Sequence, residues 1–159
     1  MHNPPSESPP MQSAALIVHA FSTIAMTGVI WFVQIVHYPL FARVAAEGFA
    51  AYEYEHAKLT GFVVMPLMLA ELATALALAT VLRPAGVPAW IMWAGFALVG
   101  VIWLSTFLVQ VPQHEILSRG FDAKAHRFLV DSNWIRTVAW TLRSALAIWL
   151  LTRVAGSES

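Results

Sequence analysis

Two stretches of this chain contain no Lys, Arg, Asp or Glu: Ser8 to Ala42, and Pro84 to His114. About 20 helical residues cross the roughly 30 Å hydrocarbon core of a bilayer, so each stretch is long enough to span it. Inside hydrocarbon a chain must satisfy its own backbone polar groups, and a helix does so within one segment. The whole chain is 58% hydrophobic and only 11% charged, which extends the same reading beyond the two runs. The expectation is an integral membrane protein whose first partner is the lipid bilayer. The formal net charge is zero, so no basic patch invites nucleic acid. There is no cysteine, which excludes disulfides, thiolate metal sites and covalent c-type haem attachment.

Four helices account for the sequence. The first is expected from about Ser13 to Tyr38, with "HYP" at its end, and the second from about Leu59 to Leu82, ended by "RPAGVP". The third is expected from about Ala89 to Val111, with Pro112 at its exit, and the fourth from about Asn133 to Thr152. Proline cannot continue an ideal helix, so it suits the chain reversals. Pro66 falls inside the second span and is expected to kink it. The segments "FAAYEYEHAK" and "DAKAHRFLVD" contain no helix breaker, so the second and fourth helices are expected to begin outside the hydrocarbon. Asp122 is placed to cap the latter. The opening "MHNPPSESPP" lacks the positive n-region of a secretory signal. Residues 1–12 and 154–159 are read as tails, residues 13–153 as one transmembrane domain.

With four spans, both termini lie on one side together with Arg83 and Arg153. Arg43, Lys58, Arg119, Lys124, Arg127 and Arg136 fall on the other. The excess of positive charge predicts that the 1–2 and 3–4 loops are cytoplasmic. The cytoplasmic membrane of a bacterium is the expected location.

The tetrapeptide "GVIW" occurs at Gly28–Trp31 and again at Gly100–Trp103. Phe49 and Phe121 are separated by the same offset. "LATALA" at 72–77 is echoed by "LRSALA" at 142–147, and "VQIVHYP" by "VQVPQHE". His56 to Leu59 is echoed by His126 to Leu129. The echoes keep their order, which predicts a duplicated two-helix hairpin with halves at about 13–82 and 89–152. Such halves would be related by an axis along the membrane normal. Shared apolar composition is the competing explanation. Gly28 and Gly100 are expected to let the first and third helices pack closely.

Four histidines sit at helix ends: His37, His56, His114 and His126. By the topology above they share one face of the membrane. Imidazole is a common metal ligand, and helical bundles build metal sites from facing helices. Glu53, Glu55, Glu115 and Asp122 stand nearby in sequence. Imidazole with carboxylate suits iron, copper or zinc, and haem is the other cofactor considered. The plainer reading is that these histidines hydrogen-bond loops and water at the interface. A polar stripe at helical spacing (His19, Thr23, Thr27, Gln34 and His37 on the first helix) is expected to face inward. Gln34, Gln110, Asn133 and Arg136 are the candidate substrate-binding residues beside the histidines. Glu71 and Arg143 fall near mid-membrane and are expected to pair.

The stretch "VPQHEILSRGFDAKAHRFLVDSNWIRTVAWTLRSAL" resembles small bacterial four-helix membrane proteins of unknown function and, more distantly, the anthrone-oxygenase-like group. The residues that carry the resemblance are Pro112, Asn133, Trp134, Arg136 and Thr137. It covers about the last third of the chain and implies the four-helix membrane fold. The reading of function is a metal- or haem-dependent membrane oxidoreductase acting on a lipophilic small molecule. The alternatives are a small oligomeric transporter or proton-coupled membrane protein that uses Glu71 and Arg143, and a scaffold or accessory subunit without a site of its own.

Overall fold

The computed structural model describes residues 10–156. Four long helices follow one another: α1 Pro10–Arg43, α2 Ala46–Ala79, α3 Ala89–Leu117 and α4 Ala123–Ala155. Among the described residues there is no strand. Each helix is long and apolar enough to cross a membrane. The 34 residues of α2 extend about 50 Å at 1.5 Å per residue, well beyond the roughly 30 Å core. The helices that contain "FAAYEYEHAK" and "DAKAHRFLVD" run unbroken through those segments, as their lack of breakers predicts. Asp122 caps α4: its carboxylate accepts from the backbone N–H of Lys124 at 2.9 Å and Ala125 at 2.7 Å.

Helix α1 packs against α2 and α4, and α3 packs against the same two, so the helices form a ring in chain order. The surface is apolar: Phe21, Phe62, Val81, Trp90 and Leu108 are all largely exposed. Polar side chains point inward, including His19, Thr23, Gln34, Glu71, Gln110, Asn133 and Arg143. That inversion is what lipid requires, because a polar group facing hydrocarbon is costly. Two apolar clusters fill the interior. One gathers Met26, Phe41, Phe49, Met68 and Trp140 towards the α1–α2 and α3–α4 turns, the connection end. The other gathers Leu16, Leu78, Met92 and Leu150 towards the termini.

Several boundaries differ from expectation, each for a physical reason. Helix α1 is already formed at Pro10, ahead of the expected Ser13. Gln12, assigned to the tail by sequence, is buried, and its amide donates to the carbonyl of Leu82 at 3.1 Å. Residues 1–9 and 157–159 lie outside the described residues. Pro39 and Pro112 do not end their helices. Each is preceded by a π-helical segment, Val33–His37 and Thr106–Gln110. The N–H of Tyr38 reaches back to the carbonyl of Val33, and that of Val111 to Thr106. Widening the helix relieves the proline ring of its clash with the carbonyl four residues back, and the chain continues helical. Helix α2 also continues through Pro66.

The expected close packing at Gly28 and Gly100 is absent: a Cβ at either would meet nothing within 4 Å. The tight glycine is Gly95, where an added Cβ would lie 2.8 Å from Leu146 Cδ2.

Candidate functional site

The expected mid-membrane pair forms, on the diagonal between α2 and α4. Arg143 Nε lies 2.8 Å from Glu71 Oε1. Thr23 donates to the same oxygen at 2.9 Å, and the Trp140 indole N–H donates to Oε2 at 2.9 Å. Arg143 also donates to the carbonyl of Gly95, which explains why α3 must approach so closely there. His19 Nε2 lies 3.5 Å from the same guanidinium, and its Nδ1 lies 3.0 Å from Thr74 Oγ1. Both carboxylate oxygens are occupied, so this group is tied into the scaffold.

At the connection end, α1, α2 and α3 bring three of the four candidate histidines together. His37 Nε2 lies 2.9 Å from His56 Nδ1, and the rings of His56 and His114 are 5.5 Å apart. Glu53, one turn before His56 on α2, is completely buried, and its Oε1 meets His114 Nδ1. Glu53, His56 and His114 form the group that could hold a metal ion, with one ligand atom from each lying within 4.8 Å of the others. Glu53 Oε2 is buried without a hydrogen-bond partner. Two imidazoles and one carboxylate are the donor types found in non-haem iron(II) sites, and they also suit zinc or copper.

His126 does not join the group. Its Nε2 donates to the backbone carbonyl of Tyr38 at 2.8 Å, and its ring stacks on Phe41 with centroids 6.3 Å apart. Phe41, itself fully buried, stands among the four imidazoles and keeps His126 apart. Sequence pairing made His126 equivalent to His56, and the phenyl ring breaks that equivalence. Of the four histidines expected as ligands, only His56 and His114 belong to the group; His37 touches it through His56, and Glu53 supplies the third donor.

Tyr38 links the group to α4. Its hydroxyl lies 2.9 Å from His114 Nε2 and accepts from Arg136 Nη2 at 3.3 Å. Arg136 Nε donates to Asn133 Oδ1 at 2.9 Å. Asn133 Nδ2 donates to Gln34 Oε1 at 2.9 Å, and Gln34 Nε2 to the carbonyl of Val130 at 3.2 Å.

Beside this network lies a cavity of about 420 Å³. Its wall is mostly apolar, with Met26, Ile30, Val33, Met65 and Met68 on it, and Trp140 borders it where it meets Glu71. His56, His114, Tyr38, Arg136 and Gln110 also line it. Of the four candidate substrate-binding residues, Gln110 and Arg136 reach the cavity. Gln34 and Asn133 stand behind it, bonded to each other, and serve to hold α1 on α4. Interhelical bonds of this kind contribute about 0.6 kcal/mol each on average, so their role is registry more than strength.

Sequence reasoning named Glu53 only as one of four nearby carboxylates, not as a ligand, and passed over Tyr38 as a partner. The signal for Glu53 was its spacing: Glu53-x-x-His56 places carboxylate and imidazole on one helix face, the i, i+3 arrangement of bundle metal sites. Nothing in the sequence distinguished Tyr38 from an interfacial tyrosine. Trp31, singled out by the repeat, faces away, donating to Thr141 at 3.0 Å and packing edge-on to Trp134. Compared with protein-family models, curated proteins and solved structures, the chain has no match.

Proposed function

We propose that this chain is a membrane-embedded, metal-dependent oxidoreductase acting on a lipophilic small molecule, with Glu53, His56 and His114 as the ligands. The observation that carries the reading is that His56 and His114 belong both to the ligand group and to the cavity wall. An ion held there would border a mostly apolar chamber large enough for a small organic molecule, since ligand pockets run from about 300 to 1,000 Å³. Iron fits the two-histidine, one-carboxylate set best, and would supply electron transfer. His37 steadies His56 through the 2.9 Å contact, as ligand histidines are commonly held by a further partner. Tyr38 and Arg136 place hydrogen-bond donors beside the same chamber.

The reading is tested by metal content. Protein purified in mild detergent and incubated anaerobically with iron(II) should retain about one equivalent. Glu53→Gln, His56→Ala and His114→Ala should each lose it, while His126→Ala keeps it. Full retention in the His56→Ala/His114→Ala double variant, at unchanged helical content, would sink the assignment.

The transporter reading, with Glu71 as a proton relay, is disfavoured by the occupied carboxylate. The duplicated-hairpin reading draws support from the recurrence of a π segment ahead of a proline in both α1 and α3. The edge-on contact of Phe49 with Phe121, at 5.1 Å, also fits two equivalent residues meeting near an axis. Cytoplasmic loops 1–2 and 3–4 remain the orientation favoured by charge, which puts the proposed metal on the cytoplasmic face.

A further inference from the structure

We infer that the cavity takes a long-chain carboxylic acid directly from the bilayer, the chain passing between α2 and α3 and the carboxyl group resting on Arg136 and Gln110. This rests on the reading of the cavity as a small-molecule site and names the class of molecule.

Two observations choose the head group. The first is the weakly met donor capacity of Arg136. Its partners are neutral, and two of them are distant: Asn133, Thr106 at 3.4 Å and Tyr38 at 3.3 Å. Among the described residues no carboxylate lies within 4 Å of it, whereas the other deep arginine, Arg143, has Glu71. A buried guanidinium is costly unless its N–H groups are well accepted, and the carbonyl oxygen of a carboxyl group is a good acceptor. The second is Gln110. Its Nε2 donates to Ser132 Oγ at 3.0 Å, and that hydroxyl donates onward to the carbonyl of Phe128 at 2.6 Å. The amide orientation is thereby fixed, and Gln110 Oε1 is left buried without a donor. Gln110 lies one turn beyond Thr106, so both head-group contacts fall on the same part of the wall. A carboxylic acid, which enters hydrocarbon protonated, offers both missing groups. One oxygen accepts from Arg136, and the O–H donates to Gln110 Oε1.

The route is set by the rim. On α2 it includes Tyr54, Ala57 and Gly61, and on α3 Phe107 and Val111, the last two about half exposed on the lipid-facing surface. A Cβ at Gly61 would meet nothing within 4 Å, so the gap stays open at that position. Met65 and Met68 behind it are flexible and adapt to an alkyl chain.

Native mass spectrometry of the full chain in detergent, with palmitic acid as probe and methyl palmitate and hexadecanol as controls, tests this. Saturable binding of a single palmitic acid is expected, with the ester and the alcohol at least about tenfold weaker. Arg136→Gln should lower acid binding by a similar factor, and Gly61→Phe should block it from the rim without touching the head-group contacts. Gly61→Phe carries the test should Arg136→Gln fail to fold. Equal binding of acid and ester, or of acid by wild type and Gly61→Phe, overturns the inference. Running the titration on chelator-treated protein, with metal measured in the same sample, separates the outcomes. Acid binding by protein that never takes metal leaves this inference standing and removes the metal reading; metal uptake without acid binding does the reverse.

Discussion

Glu71 shows how much a single side chain can decide in this bundle. Its two oxygens receive Arg143, Thr23 and Trp140, from α4 and α1, so one carboxylate ties three helices. Removing one member of a buried ion pair costs about 3–5 kcal/mol, because the other charge stays behind. Glu71→Leu should therefore lower stability by about that amount in denaturant titrations in detergent, and Glu71→Leu/Arg143→Met should recover much of the loss. The glycines give a second contrast. Gly28→Ala meets open space and should stabilise α1 by about 0.5–1 kcal/mol, since glycine is a poor helix-interior residue. Gly95→Val should destabilise by about 1–3 kcal/mol in the same titration, because it drives into Leu146 and spreads α3 from the guanidinium of Arg143. The pairing of Glu71 with Arg143 was legible in sequence because two opposite charges at similar depth in lipid have few other solutions. The role of Gly95 was not, since the closeness of two helices depends on crossing geometry that no local pattern records.

At the scale of the helix, hydropathy revealed all four spans but misjudged where they stop. The fault lay with Pro39 and Pro112. Proline ends a helix whose spacing is fixed, and here the spacing changes instead, from Val33 to His37 and from Thr106 to Gln110. That choice places His37 and His114 within their helices instead of on loops, which is how they meet His56. Three of the four histidines foreseen at one end do come together, because helix ends at equal depth are brought side by side by any ring of four. His126 is excluded by Phe41, a contact of tertiary packing that periodicity could not supply. The start of α4 offers a clean measurement. Asp122→Ala removes two cap bonds and should cost about 1 kcal/mol, with faster amide exchange confined to the first turn.

For the whole molecule, the ring arrangement makes each hairpin incomplete. Glu53 and His56 come from the first hairpin and His114 from the second. The turn between them, residues 80–88, is held by local bonds such as Arg83 Nη1 to the carbonyl of Val87 at 2.9 Å, and it contributes nothing to the cavity. A chain divided between Ala85 and Gly86 should thus reassemble when its two parts are co-expressed. Co-purification would show this, with iron retained by the pair and by neither part alone. The polar layer around Glu71 has a further consequence. It joins α1, α2 and α4 directly beneath the cavity, with the Trp140 ring above it and a separate apolar cluster on the terminal side. The chamber is thus a cul-de-sac. Vesicles loaded with this protein should hold an imposed proton gradient as long as empty ones do. A cell could then make it abundantly without draining the proton-motive force on which the rest of its membrane runs.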